Sequence, residues 1–242
     1  MTQETPSPLL HLSQDHLGHG AEVVLRDLDI RLLPGERIAL LGASGAGKST
    51  LLEALRAALQ QRDVAAAWCP QRQGLVPQLS VYHNIFMGRL DQHSRLTNLL
   101  NLLRPKPAHW QAVATLCEPL GIAGLMERSV EALSGGQRQR VAIARALYQG
   151  HDLFLGDEPV ASVDPHQASQ LIQLIHARHA TSVVALHQRE LALTHFTRLI
   201  GLGKQADGQG RVLLDVATDG LSPGDLDFLY PAAATHESSN VS

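Results

Sequence analysis

The sequence predicts an α/β fold: a mainly parallel sheet flanked by helices, with a block of helices inserted into it. Three observations lead there. Short, largely apolar runs recur at residues 37–41, 152–156 and 182–186, the pattern of parallel strands buried on both faces. A glycine-rich stretch, Gly42 to Thr50, joins the first of these runs to a segment of strong helix formers at 51–59. Between residues 73 and 148 the apolar spacing changes to that of helices.

At 242 residues the chain can bury a substantial core in one domain. Its formal net charge of −3 offers no basic excess for a phosphate backbone, which argues against a nucleic-acid partner. No apolar run approaches the roughly 20 residues of a membrane span, and residues 1–8 lack the pattern of a signal peptide. Cys69 and Cys117 stand alone, which suits a reducing compartment and buried, unreactive thiols. Of the 13 histidines, His16 with His19 and His176 with His179 have suggestive spacings. No carboxylate or cysteine completes a metal set, so they read as surface or capping residues.

In chain order, residues 9–33 alternate apolar and polar, with strands expected at 23–25 and 28–33 and a turn at Pro34-Gly35. Gly42-Ala43-Ser44-Gly45-Ala46-Gly47-Lys48-Ser49-Thr50 then has the spacing of a phosphate loop between a strand and a helix. Glycines let successive backbone N–H groups turn inward on a phosphate, and the helix N-terminus adds partial positive charge. Lys48 would reach the β- and γ-phosphates of a nucleoside triphosphate, and Ser49 would ligate Mg²⁺. A strand is expected over 63–69, followed by Gln71. Ser80 caps a helix carrying Tyr82, Ile85 and Phe86, and a second helical pattern spans 110–120. Ser134-Gly135-Gly136-Gln137 opens another helix with a capping box, a second place for an anion. The strand at 152–156 ends on Asp157-Glu158, and the strand at 182–186 ends on His187. In an open parallel sheet such strand ends line one crevice. Asp157 is placed for Mg²⁺, Glu158 for taking a proton from an attacking water, and His187 for donating to a γ-phosphate. Residues 231–242 are small and polar and read as a disordered tail.

Taken together, these stretches resemble the ATP-binding cassette (ABC) family. Leu133-Ser134-Gly135-Gly136-Gln137 is similar to its signature motif, and residues 153–158 to its Walker B strand. Gln71 is similar to its Q-loop glutamine, Asp164 to its D-loop aspartate and His187 to its switch histidine. The resemblance covers about residues 9–230. It implies a P-loop NTPase, RecA-like core at 1–72 and 150–230, with a helical subdomain at about 73–149, in one domain over 1–230. It also implies ATP and Mg²⁺, with the metal held by Ser49, Gln71 and Asp157, and catalysis by Glu158, His187 and Gln71. Two copies would pair head to tail, so that Ser134, Gly135, Gly136, Gln137 and Asp164 complete the partner's nucleotide site. Two departures from the family stand out. His19 falls where an aromatic residue usually stacks on adenine. Only 22 residues separate Lys48 from Gln71, so the antiparallel β-subdomain is expected to be shortened.

Gly88-Arg89-Leu90, Leu186-His187-Gln188 and residues 225–230 are most similar to cassettes of phosphonate importers. That likeness implies a peripheral subunit on the cytoplasmic face of the cell membrane. It would power a permease served by a solute-binding protein, with a docking site for the permease near Leu75, Val76, Leu79, Val81 and Tyr82. Other importers, exporters and soluble cassettes of translation or DNA repair remain as alternatives. A nucleotide kinase would have no use for the signature motif.

Overall fold

The computed structural model describes residues 7–19 and 22–230. Its strands are β1 (Leu10–His19), β2 (Glu22–Leu32), β3 (Arg37–Leu41), β4 (Ala66–Cys69), β5 (Leu153–Asp157), β6 (Thr181–Ala185), β7 (Arg198–Lys204) and β8 (Gly210–Ala217). All join one sheet in the order β1-β2-β8-β7-β3-β6-β5-β4. From β7 to β4 every pairing is parallel. The β1–β2 hairpin and the β7–β8 pair are antiparallel and make up the other end.

The helices are α1 (Lys48–Gln60), α2 (Val81–Phe86), α3 (Arg95–Leu103), α4 (Pro107–Cys117), α5 (Gly135–Gln149), α6 (Pro165–Arg178) and α7 (Arg189–His195). Alternation along the strands divides the core between the two faces of the sheet. Ile38, Leu40, Leu155 and Val183 cluster with Leu51, Leu52, Leu55 and Leu59 of α1. Ala39, Leu41, Phe154 and Val184 cluster with α2, α4, α5 and α6 on the opposite face. Cys69 and Cys117 are buried there, and burial pushes both thiols up to about 12.

Three expectations need correction. The strands expected at 23–25 and 28–33 are one strand, which passes through Asp27 with φ +54°. Aspartate tolerates the left-handed region better than most residues, and Arg211 Nε donates to its carboxylate at 3.1 Å. The strand expected over 63–69 begins only at Ala66, because residues 61–65 are needed to turn the chain out of α1. No hairpin stands between α1 and β4, as the short spacing implies. His176 and His179 are not surface residues, although His179 is the C-terminal cap of α6. Both are buried, His176 Nε2 lying 3.1 Å from Ser182 Oγ and His179 Nδ1 2.7 Å from the His151 carbonyl. The tail at 231–242 lies outside the described residues.

The inserted helices are fastened by specific contacts. Ser80 caps α2, accepting from His83 N–H, and the buried Tyr82 donates to Asn101 Oδ1 at 2.8 Å. Gly88 lets this segment close on α5, since a Cβ there would stand 2.5 Å from the Arg145 carbonyl oxygen. α5 has the expected capping box, Ser134 with Gln137, and ends on Gly150 at φ +74°. Its last residue, Gln149, also covers the free edge of β4. Trp68 N–H donates to Gln149 Oε1 at 3.0 Å, and Gln149 Nε2 donates to the Trp68 carbonyl at 3.3 Å. An unpaired edge is a template for pairing with another chain, and this side chain occupies it. Gln149→Ala is expected to lower stability by about 1–2 kcal/mol through the two lost bonds. Urea unfolding followed by circular dichroism checks it, and an unchanged midpoint would mean water replaces the amide at no cost.

Candidate active site

The phosphate loop is shaped by glycines that no other residue can replace. At Gly42 φ is +150° and a Cβ would fall 2.3 Å from the Leu202 carbonyl oxygen. At Gly47 φ is +100° and a Cβ would fall 2.7 Å from Leu25 Cδ2. Gly47 also provides no side-chain cap for α1, unlike Ser134 of α5 and Asp164 of α6. The first N–H groups of α1 are therefore left to an external acceptor, which makes this helix end an anion site. Lys48 is 5% exposed, and its Nζ donates to the carbonyls of Gly42 at 2.8 Å and Ala43 at 3.2 Å. Burial lowers its pKa, against the opposing pull of Glu158 and Asp157. Ser44, Gly45, Gly47, Lys48, Ser49 and Thr50 line one cleft with Gln71, Glu158 and Val24. Ala46 does not face it. Its side chain is buried beside Leu25, and its N–H donates to Ala43 O at 3.2 Å.

Adjacent strands deliver the polar groups. Gln71 follows β4, Asp157 ends β5 with Glu158 next to it, and His187 follows β6. They converge on one carboxylate: Gln71 Nε2 donates to Glu158 Oε2 at 3.3 Å, and His187 Nε2 lies 2.5 Å from Glu158 Oε1. Glu158 adopts φ +53°, a region costly for a residue other than glycine, on the order of 1–3 kcal/mol, and typical of functional sites. Asp157 is buried, and its Oδ1 has no protein partner. Burial raises its pKa, while a hydrogen bond from Ser49 pulls the other way. A buried, unpartnered carboxylate oxygen beside the Ser49 hydroxyl suits a hard cation such as Mg²⁺.

The loop that leaves Gln71 is held by the helical block. Arg145 Nη1 donates to Gly74 O at 2.9 Å and its other terminal nitrogen to Gln73 O. Val76 N–H donates to the buried Asn84 side chain at 2.7 Å, and Asn84 Nδ2 returns a bond to Val76 O at 3.0 Å. Sequence reading did not single out Asn84, Gln139, Arg145 or Val24. Only the buried face of their helix or strand could have pointed to them.

Other expected site residues stand apart from this cleft within one chain. Ser134, Gly135, Gly136 and Gln137 form the start of α5, and a Cβ on Gly136 would meet the Ser162 carbonyl oxygen at 3.4 Å. Ser134 Oγ accepts from Gln137 N–H at 3.2 Å and Gln137 Oε1 from Ser134 N–H at 2.9 Å, so the Ser134 hydroxyl hydrogen stays available. The Asp164 carboxylate caps α6, accepting from Gln167 N–H at 3.0 Å. His19 ends β1, and its side chain lies outside the described part of the structure.

The ABC transporter family matches residues 25–161. The phosphonates import ATP-binding protein PhnC 1 of Pseudomonas savastanoi pv. phaseolicola is 38% identical over 248 residues, covering 91% of each chain. The chain belongs to the ABC transporter family. The phosphonates import ATP-binding protein PhnC 1 of Trichodesmium erythraeum is 36% identical, covering 85% of this chain and 88% of its own. Among solved structures, a dimeric bacterial ABC transporter cassette matches with a TM-score of 0.67 at 23% identity, over 87% of this chain and 99% of that one. A chain of a putative metal-chelate type ABC transporter in an inward-facing conformation matches with a TM-score of 0.69 at 22% identity, over 90% of this chain and 87% of that one. The mixed sheet with its glycine loop is the P-loop NTPase fold of such ABC cassettes.

The raised pKa of Asp157 has a consequence for the stability of this ABC chain. A carboxyl raised on folding binds its proton more tightly folded than unfolded. Its contribution is therefore largest below the unfolded value and is lost as pH rises through the carboxylate range to the raised folded value. Asp157→Asn, measured by thermal unfolding without nucleotide, is expected to melt above wild type at pH 7, with the gap closing as pH falls into that range. A variant melting below wild type at pH 7 would show that the carboxylate is fully compensated.

Proposed function

We propose that this chain is the ATP-hydrolysing subunit of an importer for phosphonate or a related phosphorus oxyanion, acting as a head-to-tail homodimer beneath a membrane permease. Family membership makes it a transport-coupled ATPase. The observation that carries the hydrolytic reading is the Glu158 carboxylate, held between Gln71 and His187 at the cleft of the phosphate loop. The solute is supported by relatives named as phosphonate importers and aligned along 91% of the chain.

The nucleotide phosphates would seat on the uncapped end of α1, with Lys48 exchanging the Gly42 and Ala43 carbonyls for the β/γ oxygens. Ser49, Gln71 and Asp157 would hold Mg²⁺, which when bound offsets phosphate charge. Glu158 takes a proton from water as the water oxygen bonds to the γ-phosphorus. The bond to the β–γ bridging oxygen breaks, leaving ADP and phosphate. His187 donates to the γ-phosphate, and His19 stacks on adenine. Ser134, Gly135, Gly136, Gln137 and Asp164 of one copy close the site of the other. The core at 1–72 and 150–230 and the helical subdomain at 73–149 form one domain over 1–230. Among the described residues no helix is long and apolar enough to cross a membrane, in keeping with a peripheral subunit on the cytoplasmic face. The solute-binding protein would meet the permease, not this chain.

An apolar groove in the helical block, lined by Leu79, His83, Phe86, Met87, Leu90, Leu99 and Leu102, would receive a cytoplasmic segment of the permease. Of the residues expected to dock, Val81 and Tyr82 are fully buried, whereas Leu75, Val76 and Leu79 are partly exposed. α3 supplies the rest of the surface, with Leu99 57% and Leu102 47% exposed.

Glu158→Gln is expected to bind ATP normally, to lose turnover by about 100-fold or more, and to accumulate as a dimer. Steady-state hydrolysis and size-exclusion chromatography check this, and near-wild-type turnover would remove Glu158 as the base. Leu99→Asp is expected to keep basal hydrolysis and lose stimulation by the permease. Equal loss of both would mean that the substitution impairs the cassette itself, and would remove Leu99 as a docking residue. The solute is tested by reconstituting the cassette with its copurified permease and binding protein. Stimulation by methylphosphonate supports the assignment, and stimulation by an amino acid alone overturns it.

A further inference from the structure

Gln139 lies on α5 and is only 5% exposed. Its amide nitrogen donates to two consecutive main-chain carbonyls, Glu158 O at 3.1 Å and Pro159 O at 2.6 Å. Its amide oxygen accepts from Gln73 Nε2 at 2.8 Å. Both amide hydrogens are thus committed to the turn that carries Glu158. That turn has Glu158 at φ +53°, a conformation that persists only where its surroundings impose it. On the other side of the same residue, Glu158 N–H donates to Ala185 O at 3.1 Å. The backbone of Glu158 is therefore pinned at its N–H by the sheet and at its carbonyl by Gln139. Because the direction of a side chain follows φ, release of the carbonyl would let the residue relax and swing its carboxylate away from Gln71 and His187.

We propose that Gln139 is a positioning residue for hydrolysis. It imposes the left-handed turn that aims the Glu158 carboxylate into the cleft, and through Gln73 it ties that aim to the loop bearing Gln71. Movement of the loop would then reach Glu158 by two routes: directly through Gln71, and through Gln73 and Gln139 to the main chain. Gln139 hydrogen-bonds to neither the phosphate loop nor any residue of the cleft except Glu158, through its carbonyl. Its loss should therefore alter turnover and leave binding alone. The inference rests on Glu158 being the base, as proposed above.

The test is steady-state ATP hydrolysis with nucleotide affinity measured in parallel. Gln139→Met keeps the volume and removes the donors. It is expected to lower kcat by about 10- to 100-fold, the scale of a small misplacement of a catalytic group, with KM and affinity for ATP unchanged. Gln73→Met leaves both carbonyl bonds in place and is expected to lower kcat by a smaller factor. In a Glu158→Gln background Gln139→Met should cost nothing further, since the aim of a group that accepts no proton is immaterial. A merely structural loss would lower the residual rate and weaken binding in that background too. Wild-type kcat in Gln139→Met, or ATP affinity falling in step with kcat, overturns the proposal. Should Gln139→Met fail to fold, Gln73→Met decides, and unchanged kcat there overturns it. An active Glu158→Gln single variant would instead sink the base assignment, so the two failures are told apart.

Discussion

The parallel pairing of β3, β6, β5 and β4 is the constraint on which the site depends. Parallel strands all end on the same edge, so residues far apart in sequence arrive side by side. Cys69 pairs with Gly156, Asp157 with Ala185, and Leu40 with Ala185, which sets Gln71, Glu158, His187 and the phosphate loop beside one another. A slip of one residue in any of these registers would exchange the side chains packed on the two faces of that strand and mismatch both cores. The apolar packing that holds the sheet therefore also holds the spacing of the polar tips, and the site needs no separate scaffold.

The inserted helices act on that edge from one side. Asn84, Gln139 and Arg145 all come from α2 or α5, and all three bind the segment that runs from Gln73 to Val76. One of these helices, α2, lines the apolar groove on the outside of the block together with α3. A displacement felt at the groove therefore has a short, hydrogen-bonded path to the segment after Gln71. This arrangement fits a subunit whose chemistry is meant to answer to a partner.

Much of this was legible in the residues, for a physical reason. Strands buried on both faces read as apolar runs, so β3, β5 and β6 and the polar residues at their ends stood out. Glycines with forbidden backbone angles and a serine–glutamine cap carry fixed spacings, so the phosphate loop and the start of α5 did as well. The misses came where tertiary contact decided. β2 continues through Asp27 because β1 pairs with it on both sides of that residue. His176 and His179 are buried where Ser182 and the His151 carbonyl each meet one ring nitrogen, contacts that no local pattern announces. Gln139 looks like any polar residue on an amphipathic helix, and only the fold places two carbonyls against it. The left-handed turn at Glu158 had no local signal at all, since glutamate has no preference for it.

The Lys48 ammonium rests on carbonyls of its own loop. Those two oxygens take the place of water around a cation that is almost wholly buried, so its charge is not left unpaired inside the fold. Any anion that engaged the ammonium would have to displace both contacts, so the loop's own carbonyls set part of the cost of binding there.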